Sequence, residues 1–164
     1  MSEKKQNLSS YDPHKVPGAD HMRVGIVVSE WNPEITGALL RGAVETLEQH
    51  GLPENQLFVH YVPGSFELPQ GAAYLIDQLE VDAVICLGCV IQGETRHFEF
   101  ICQAVSQGIM NLQLDSGIPV IFGVLTTDTY EQAKNRAGGK HGNKGDEAAV
   151  TAIKMIDLKN RLGA

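Results

Sequence analysis

The chain has 164 residues, the length of one ordinary domain of about 100–200 residues, and 43% of them are hydrophobic, enough for a real core. The formal net charge of −7 and the lack of a long basic run exclude a nucleic-acid surface built on clustered Lys and Arg. No apolar run approaches the roughly 18–20 residues of a membrane span, and the first residues lack the apolar segment of a secretory signal.

Residues 1–20 are polar and carry Pro13 and Pro17, so they read as an arm without a core of its own, extended or disordered. Residues 21–164 read as a single α/β domain. Met22–Ser29 is a β-branched run, the signature of a central strand. Asn32 then suits a helix N-cap and Pro33 a first helical turn. Ile35, Leu39, Ala43, Val44 and Leu47 recur at helical spacing until Gly51, with Pro53 beyond.

The strand–helix unit repeats. Gln56–Val62 predicts a second strand, followed by "PGSFELP" and a helix through "QGAAYLIDQL". "DAVICLGCVI" predicts the third strand, with a helix starting near "TRHFEF". Pro119–Leu125 predicts the fourth, and "TTDTYEQAKNRA" a helix capped by Thr127 or Asp128. "GDEAAVTAIKMIDLKNRL" closes the chain, with Ala149, Ala152, Ile153 and Ile156 on one stripe. This alternation predicts a three-layer α/β sandwich, a four-stranded parallel sheet with helices on both faces. Cys86 and Cys89 read C-x-x-C, but inside an apolar strand they point to opposite faces and behave as small hydrophobes. Unpaired cysteines suit a reducing cytoplasm.

Ligands of such sheets bind beyond the carboxyl ends of the strands, which directs attention to "EWNPE", "PGSFEL", "QGETRHF" and "TTDT". In "QGETRHF", Gly93, Glu94 and Thr95 precede a helix start. Free backbone N–H groups and the helix dipole there make an anion site for which phosphate is the natural guest. His97 lies just inside that helix and can exchange protons near neutral pH. The bland reading is a solvated surface loop. Trp31, the only tryptophan, can stack on a planar heterocycle or cap the core. Phe66 and Glu67 would suit a polar ring or a polyol; alternatively Glu67 caps a helix. "NRAGGKHGNKGDEAA" carries Arg136, Lys140 and Lys144 among glycines, either as a solvated turn or as cations reaching an anion held by a neighbouring chain. No G-x-G-x-x-G follows the first strand, no P-loop occurs, and the histidines share no metal-ligand spacing. Ser65 lacks a G-x-S-x-G elbow.

Taken in order, "SEWN", "VPGSFELP", "GCVIQGETRHFE", "PVIFGVLTT" and "RAGGKHGNKGDEAA" resemble the 6,7-dimethyl-8-ribityllumazine synthases of riboflavin biosynthesis, from about Met22 to Leu162. Trp31 stands where that family commonly has phenylalanine, and Cys89 where it often has threonine. The resemblance implies a flavodoxin-like fold and a condensation of 5-amino-6-(D-ribitylamino)uracil with 3,4-dihydroxy-2-butanone 4-phosphate, without metal or cofactor. It implies proton transfer by His97 and a phosphate cradle at Gly93, Glu94 and Thr95 with Arg136 as its cation. Trp31, with Asn32 beside it, would provide the stacking face for the uracil. Ser65, Phe66 and Glu67 would hold the ring and ribityl chain, and Val90 and Ile91 would border the heterocycle. Phe122, Arg136 and Lys144 would come from the adjacent subunit. It further implies a homopentamer and, from the turn "AGGKHGNKG", an icosahedral shell of about 60 subunits, with riboflavin synthase as a candidate partner. The alternatives are a non-catalytic flavodoxin-like protein that binds flavin or another phosphorylated ligand, and a self-assembling shell whose site has decayed.

Overall fold

In the computed structural model, which describes residue 7 and residues 9–164, the predicted units assemble around one parallel sheet. Its strands are β1 (Val24–Ser29), β2 (Leu57–Val62), β3 (Ala83–Ile91) and β4 (Val120–Thr127), in the order β2-β1-β3-β4. Every residue of β1 is buried, because a central strand covered on both faces has no side to leave polar. Val24 pairs with Leu57 of β2 and with Ala83 of β3, which sets the start of the strand two residues after Met22. β4 runs past the predicted Leu125: Val90 and Ile91 of β3 draw Thr126 and Thr127 into the ladder, and threonine is a good strand residue despite its hydroxyl.

The helices are α1 (Pro33–Gln49), α2 (Leu68–Leu79), α3 (His97–Ser116), α4 (Tyr130–Arg136) and α5 (Lys144–Leu162). Ile35, Leu39 and Leu47 of α1 join Ile153 and Ile156 of α5 and Ala133 of α4 over one face of the sheet. Leu68 and Leu75 of α2 join Val105 and Ile109 of α3 over the other. This is the expected flavodoxin-like three-layer sandwich. Cys89 belongs to the first face and Cys86 to the second, as strand alternation requires. Burial pushes the Cys86 thiol up to about 12 and the Cys89 thiol to about 11. α1 and α5 approach so closely that a Cβ on Gly145 would collide with the Leu39 carbonyl oxygen.

One expected cap is corrected, and one holds through its backbone alone. Asn32 is the N-cap residue of α1 and its carbonyl accepts from the Ile35 and Thr36 N–H groups, but it lies in the left-handed region (φ 59°, ψ 58°) and its side chain makes no cap. Its amide instead donates to the Cys89 carbonyl at 3.2 Å. The cap of α4 is Thr129, not Thr127 or Asp128: β4 uses Thr127, and Thr129 Oγ1 accepts from the Gln132 N–H while Gln132 Oε1 accepts from the Thr129 N–H. Between α4 and α5 the glycine-rich turn forms a small antiparallel hairpin, β5 (Ala137–Gly139) with β6 (Gly142–Asn143).

The expected extended arm lies partly outside the described residues, at residues 1–6 and 8. Its later part is docked rather than free. Val16 and Ala19 are buried in the main core and Tyr11 packs against it. Two apolar side chains in a polar stretch suffice for this, since the body of the fold supplies the rest of the core.

Candidate active site

The strand order reverses direction between β1 and β3, and open α/β sheets bind ligands at that switch point, outside the carboxyl ends. A cavity of about 690 Å³ lies there. The β1–α1 loop supplies Trp31 and Asn32; Trp31 is 73% exposed. The turn between β2 and α2 supplies Pro63, Gly64, Ser65, Phe66 and Glu67. The end of β3 supplies Cys89, Val90 and Ile91, and the first turns of α3 supply His97 and Ile101. The bond from Asn32 to Cys89 ties the first loop to the third strand across the cavity wall.

The turn after β2 is rigid at its base. The Gly64 N–H donates to Glu67 Oε2 at 3.0 Å, which holds the carboxylate near its own backbone. Phe66 is 58% exposed and turns a large apolar face to the cavity. Ser65 lines the cavity, yet its hydroxyl oxygen is buried without a hydrogen-bond partner among the described residues; the Ser29 hydroxyl at the end of β1 is likewise buried and unpartnered among them. Both hydroxyls converge on Gly88 of β3, where an added Cβ would stand 2.6 Å from Ser65 Oγ and 3.3 Å from Ser29 Oγ.

Gly93, Glu94 and Thr95 are exposed and sit between the end of β3 and the start of α3. They do not line the cavity in this chain. Thr95 Oγ1 accepts from the His97 N–H at 3.3 Å, which shapes the entry into α3. A Cβ at Gly93 would meet nothing within 4 Å, so the backbone there is open to a ligand.

Phe122, Arg136 and Lys144 lie apart from this cavity. Phe122 and Lys144 line a second one of about 570 Å³ along β4, an outer strand of the sheet, together with Glu147. Arg136 Nη2 pairs with Glu147 Oε1 at 2.7 Å and Lys144 Nζ with Glu147 Oε2 at 3.2 Å. Arg136 Nη1 donates to the His141 carbonyl at 2.8 Å. Burial pulls the Glu147 carboxyl up, but the Arg136 hydrogen bond and the Lys144 and Arg136 charges outweigh it and hold the group below the usual carboxylate range. Glu147 carries little signal in the sequence: a three-residue step from Lys144 on a helix is too common to single out. Pro63, Gly64, Cys89 and Ile101 are equally quiet there, because they give the cavity mostly backbone or apolar walls. Among the described residues no His, Cys, Asp or Glu group could hold a metal ion, and no helix is long and apolar enough to cross a membrane.

Residues 21–160 match the model of the 6,7-dimethyl-8-ribityllumazine synthase family. The chain belongs to this family. The 6,7-dimethyl-8-ribityllumazine synthase of Cytophaga hutchinsonii is 60% identical over 156 residues, covering 95% of this chain and 98% of the relative. That of Parabacteroides distasonis is 58% identical over 153 residues, 93% of this chain and 96% of the relative. That of Phocaeicola vulgatus is 55% identical over 156 residues, 95% and 93% respectively. The matched span contains both the cavity at the switch point and the Arg136–Lys144–Glu147 cluster. The family agrees with the resemblance read from the loop motifs, and a non-catalytic flavin-binding protein is not favoured.

Proposed function

We propose that the chain condenses 5-amino-6-(D-ribitylamino)uracil with 3,4-dihydroxy-2-butanone 4-phosphate, at a site completed by a neighbouring copy. The observation that carries this reading is the division of the functional residues. The aromatic faces, Glu67 and His97 share one cavity, while the phosphate-binding cations and Phe122 lie on the flank of the same chain. Head-to-tail packing sets the flank of one subunit against the cavity of the next, and such a contact closes into a ring.

In that site Trp31 stacks on the uracil, with Asn32 beside it and Val90 and Ile91 bordering the ring. Ser65 and Phe66 hold the ring by backbone and aromatic face, and Glu67 accepts hydrogen bonds from ribityl hydroxyls. Gly93, Glu94 and Thr95 cradle the phosphate at the start of α3, with the neighbour's Arg136, Lys144 and Phe122 closing over it. The ring amine attacks the ketone carbon and water leaves to give an imine. Loss of a proton and of phosphate follows, and the second nitrogen closes the ring with loss of another water. His97 moves protons in these steps. An amine and a ketone condense readily once aligned, so positioning supplies much of the rate, up to roughly 7–11 kcal/mol in good cases.

The ring is a homopentamer in this reading, and the short hairpin over 137–143 suits further assembly into an icosahedral shell. Phe100, Met110 and Leu114 of α3 and Met155 of α5 are exposed apolar side chains available to the contacts. Riboflavin synthase, which consumes the product, is the proposed partner. The free thiols of Cys86, Cys89 and Cys102 suit a cytoplasmic protein. The test is direct: purified protein is mixed with both substrates, without metal or nucleotide, and the lumazine's absorbance and fluorescence are followed. Product forms if the reading holds; binding of either substrate without product would overturn it.

A further inference from the structure

We propose that Ser9, in the N-terminal arm, is a positioning residue for the phosphate-binding cations, acting through Glu147. The inference rests on the phosphate role of Arg136 and Lys144 given above. Ser9 lies 138 residues before Glu147 in the chain, yet its hydroxyl stands 3.0 Å from Glu147 Oε1. The same hydroxyl accepts from the Asn143 N–H at 2.7 Å and lies 2.8 Å from the Asn143 carbonyl.

Ser9 is held from both sides. Its own N–H donates to Asn7 Oδ1 at 2.9 Å. Two residues on, Tyr11 packs against the main core. The arm also lies tightly on the hairpin: a Cβ at Gly142 would collide with Asn7 Oδ1 and Ser9 Oγ. The contact is therefore a fitted one and not a chance graze of a loose terminus.

The chemistry follows from donor counting. A hydroxyl has one proton to give. At Ser9 two acceptors compete for it, the Asn143 carbonyl and the Glu147 carboxylate, and the charged oxygen is the stronger. Glu147 Oε1 therefore receives both Arg136 Nη2 and the Ser9 hydroxyl, while Oε2 receives Lys144. A phosphate ester entering from the next subunit must draw Arg136 and Lys144 away from Glu147. A half-buried carboxylate that loses its donors is costly. Ser9 stays behind as the remaining donor, lowers that cost, and keeps the carboxylate oriented so that the cations return to one geometry.

The experiment compares Ser9→Ala and Ser9→Thr with the unaltered enzyme. KM for each substrate is measured at saturation of the other, and the binding of inorganic phosphate is titrated by calorimetry. In Ser9→Ala, KM for the phosphorylated ketone and Kd for phosphate rise together by about 3–10-fold, the loss of one indirect charge-assisted bond. KM for the ribitylaminouracil stays within twofold, roughly the precision of such a comparison. Ser9→Thr, which keeps the hydroxyl, restores both values. Equal rises for the two substrates, a fall in thermal stability with unchanged KM values, or failure of Ser9→Thr to restore them would overturn the proposal. Turnover and phosphate binding by the unaltered enzyme, with Ser9→Ala indistinguishable from it, would remove Ser9 alone. Unaltered enzyme that neither binds phosphate nor forms lumazine would remove the parent reading and this one with it.

Discussion

Replacing Gly88 by alanine should damage the site from beneath, by pushing on Ser65 and the turn it belongs to. Gly88 sits in the middle of β3, under the turn that carries Phe66 and Glu67. The added methyl would stand 2.6 Å from Ser65 Oγ and 2.9 Å from Leu68 Cδ1, with Ser29 Oγ at 3.3 Å. The first two separations are shorter than carbon tolerates, so the Ser65 and Leu68 side chains must turn away from packed positions, and the turn that carries them lifts with them. Overpacking of this kind costs about 1–3 kcal/mol, a fall in Tm of about 2–12 °C for a chain of this size. Lifting the turn also moves Phe66 and Glu67, so KM for the ribitylaminouracil should rise several-fold while KM for the phosphorylated ketone changes less. Ser65→Ala supplies the control. By itself it removes a buried hydroxyl without a partner and should be neutral or stabilising. Combined with Gly88→Ala it removes the closest clash, so the two changes should couple favourably by about 0.5–3 kcal/mol. Thermal unfolding and steady-state kinetics on the four proteins check this. Strictly additive stabilities, or a lower Tm with an unchanged KM for the amine, would refute the reasoning.

His97→Ala should fold normally, because the side chain is exposed, and lose about 10²–10⁴-fold in kcat; turnover unchanged at every pH would remove His97 from the mechanism. Arg136→Ala should weaken capture of the phosphorylated ketone by the worth of a charge-assisted bond, about 1.5–3 kcal/mol, with less effect on the uncharged substrate in direct titrations. Cys86 and Cys89 should resist thiol reagents at pH 8 until the protein unfolds, since burial pushes both thiols well above their ordinary range; mass spectrometry of the native protein showing either one modified would contradict this. Asp146 is raised by burial, then by the Glu45 charge. Its protonated form therefore favours the fold below about pH 4, and this contribution is lost as the pH rises through the native value. Asp146→Asn should raise Tm at pH 7 by less than about 3 °C, given its partial exposure, and the gain should vanish near pH 3.

Much of this architecture is legible in the sequence because the signals are physical and local. "VGIVVS" and "AVICLGCVI" are apolar runs too short for helices, and Pro33 and the glycine at 51 punctuate α1. What the sequence hides is pairing across distance. Thr126 and Thr127 look like a loop until β3 is known to extend beside them. Asn32 looks like a cap, and only the folded chain reveals Cys89 as its partner. At the site, the loop residues Trp31, Phe66, Glu67 and His97 are readable because ligands collect beyond strand ends. Glu147 is not, since its meaning depends on Arg136 and Ser9 arriving from other elements. The converging hydroxyls of Ser29 and Ser65 are equally silent in sequence, because two serines on different elements share no spacing.

The shared site is tested most directly by mixing two disabled enzymes. His97→Ala subunits keep an intact Arg136 flank, and Arg136→Ala subunits keep an intact His97 cavity. Each is dissociated, the two are combined in equal amounts, and the mixture is reassembled and assayed for lumazine formation. With each site built from one chain's cavity and the next chain's flank, random mixing leaves about a quarter of the junctions with both halves unaltered. The mixture should recover a corresponding share of the activity of unaltered enzyme, well above the mean of the two variants. Activity equal to that mean, after reassembly shown by light scattering, would place His97 and Arg136 in the same chain's site and contradict the account.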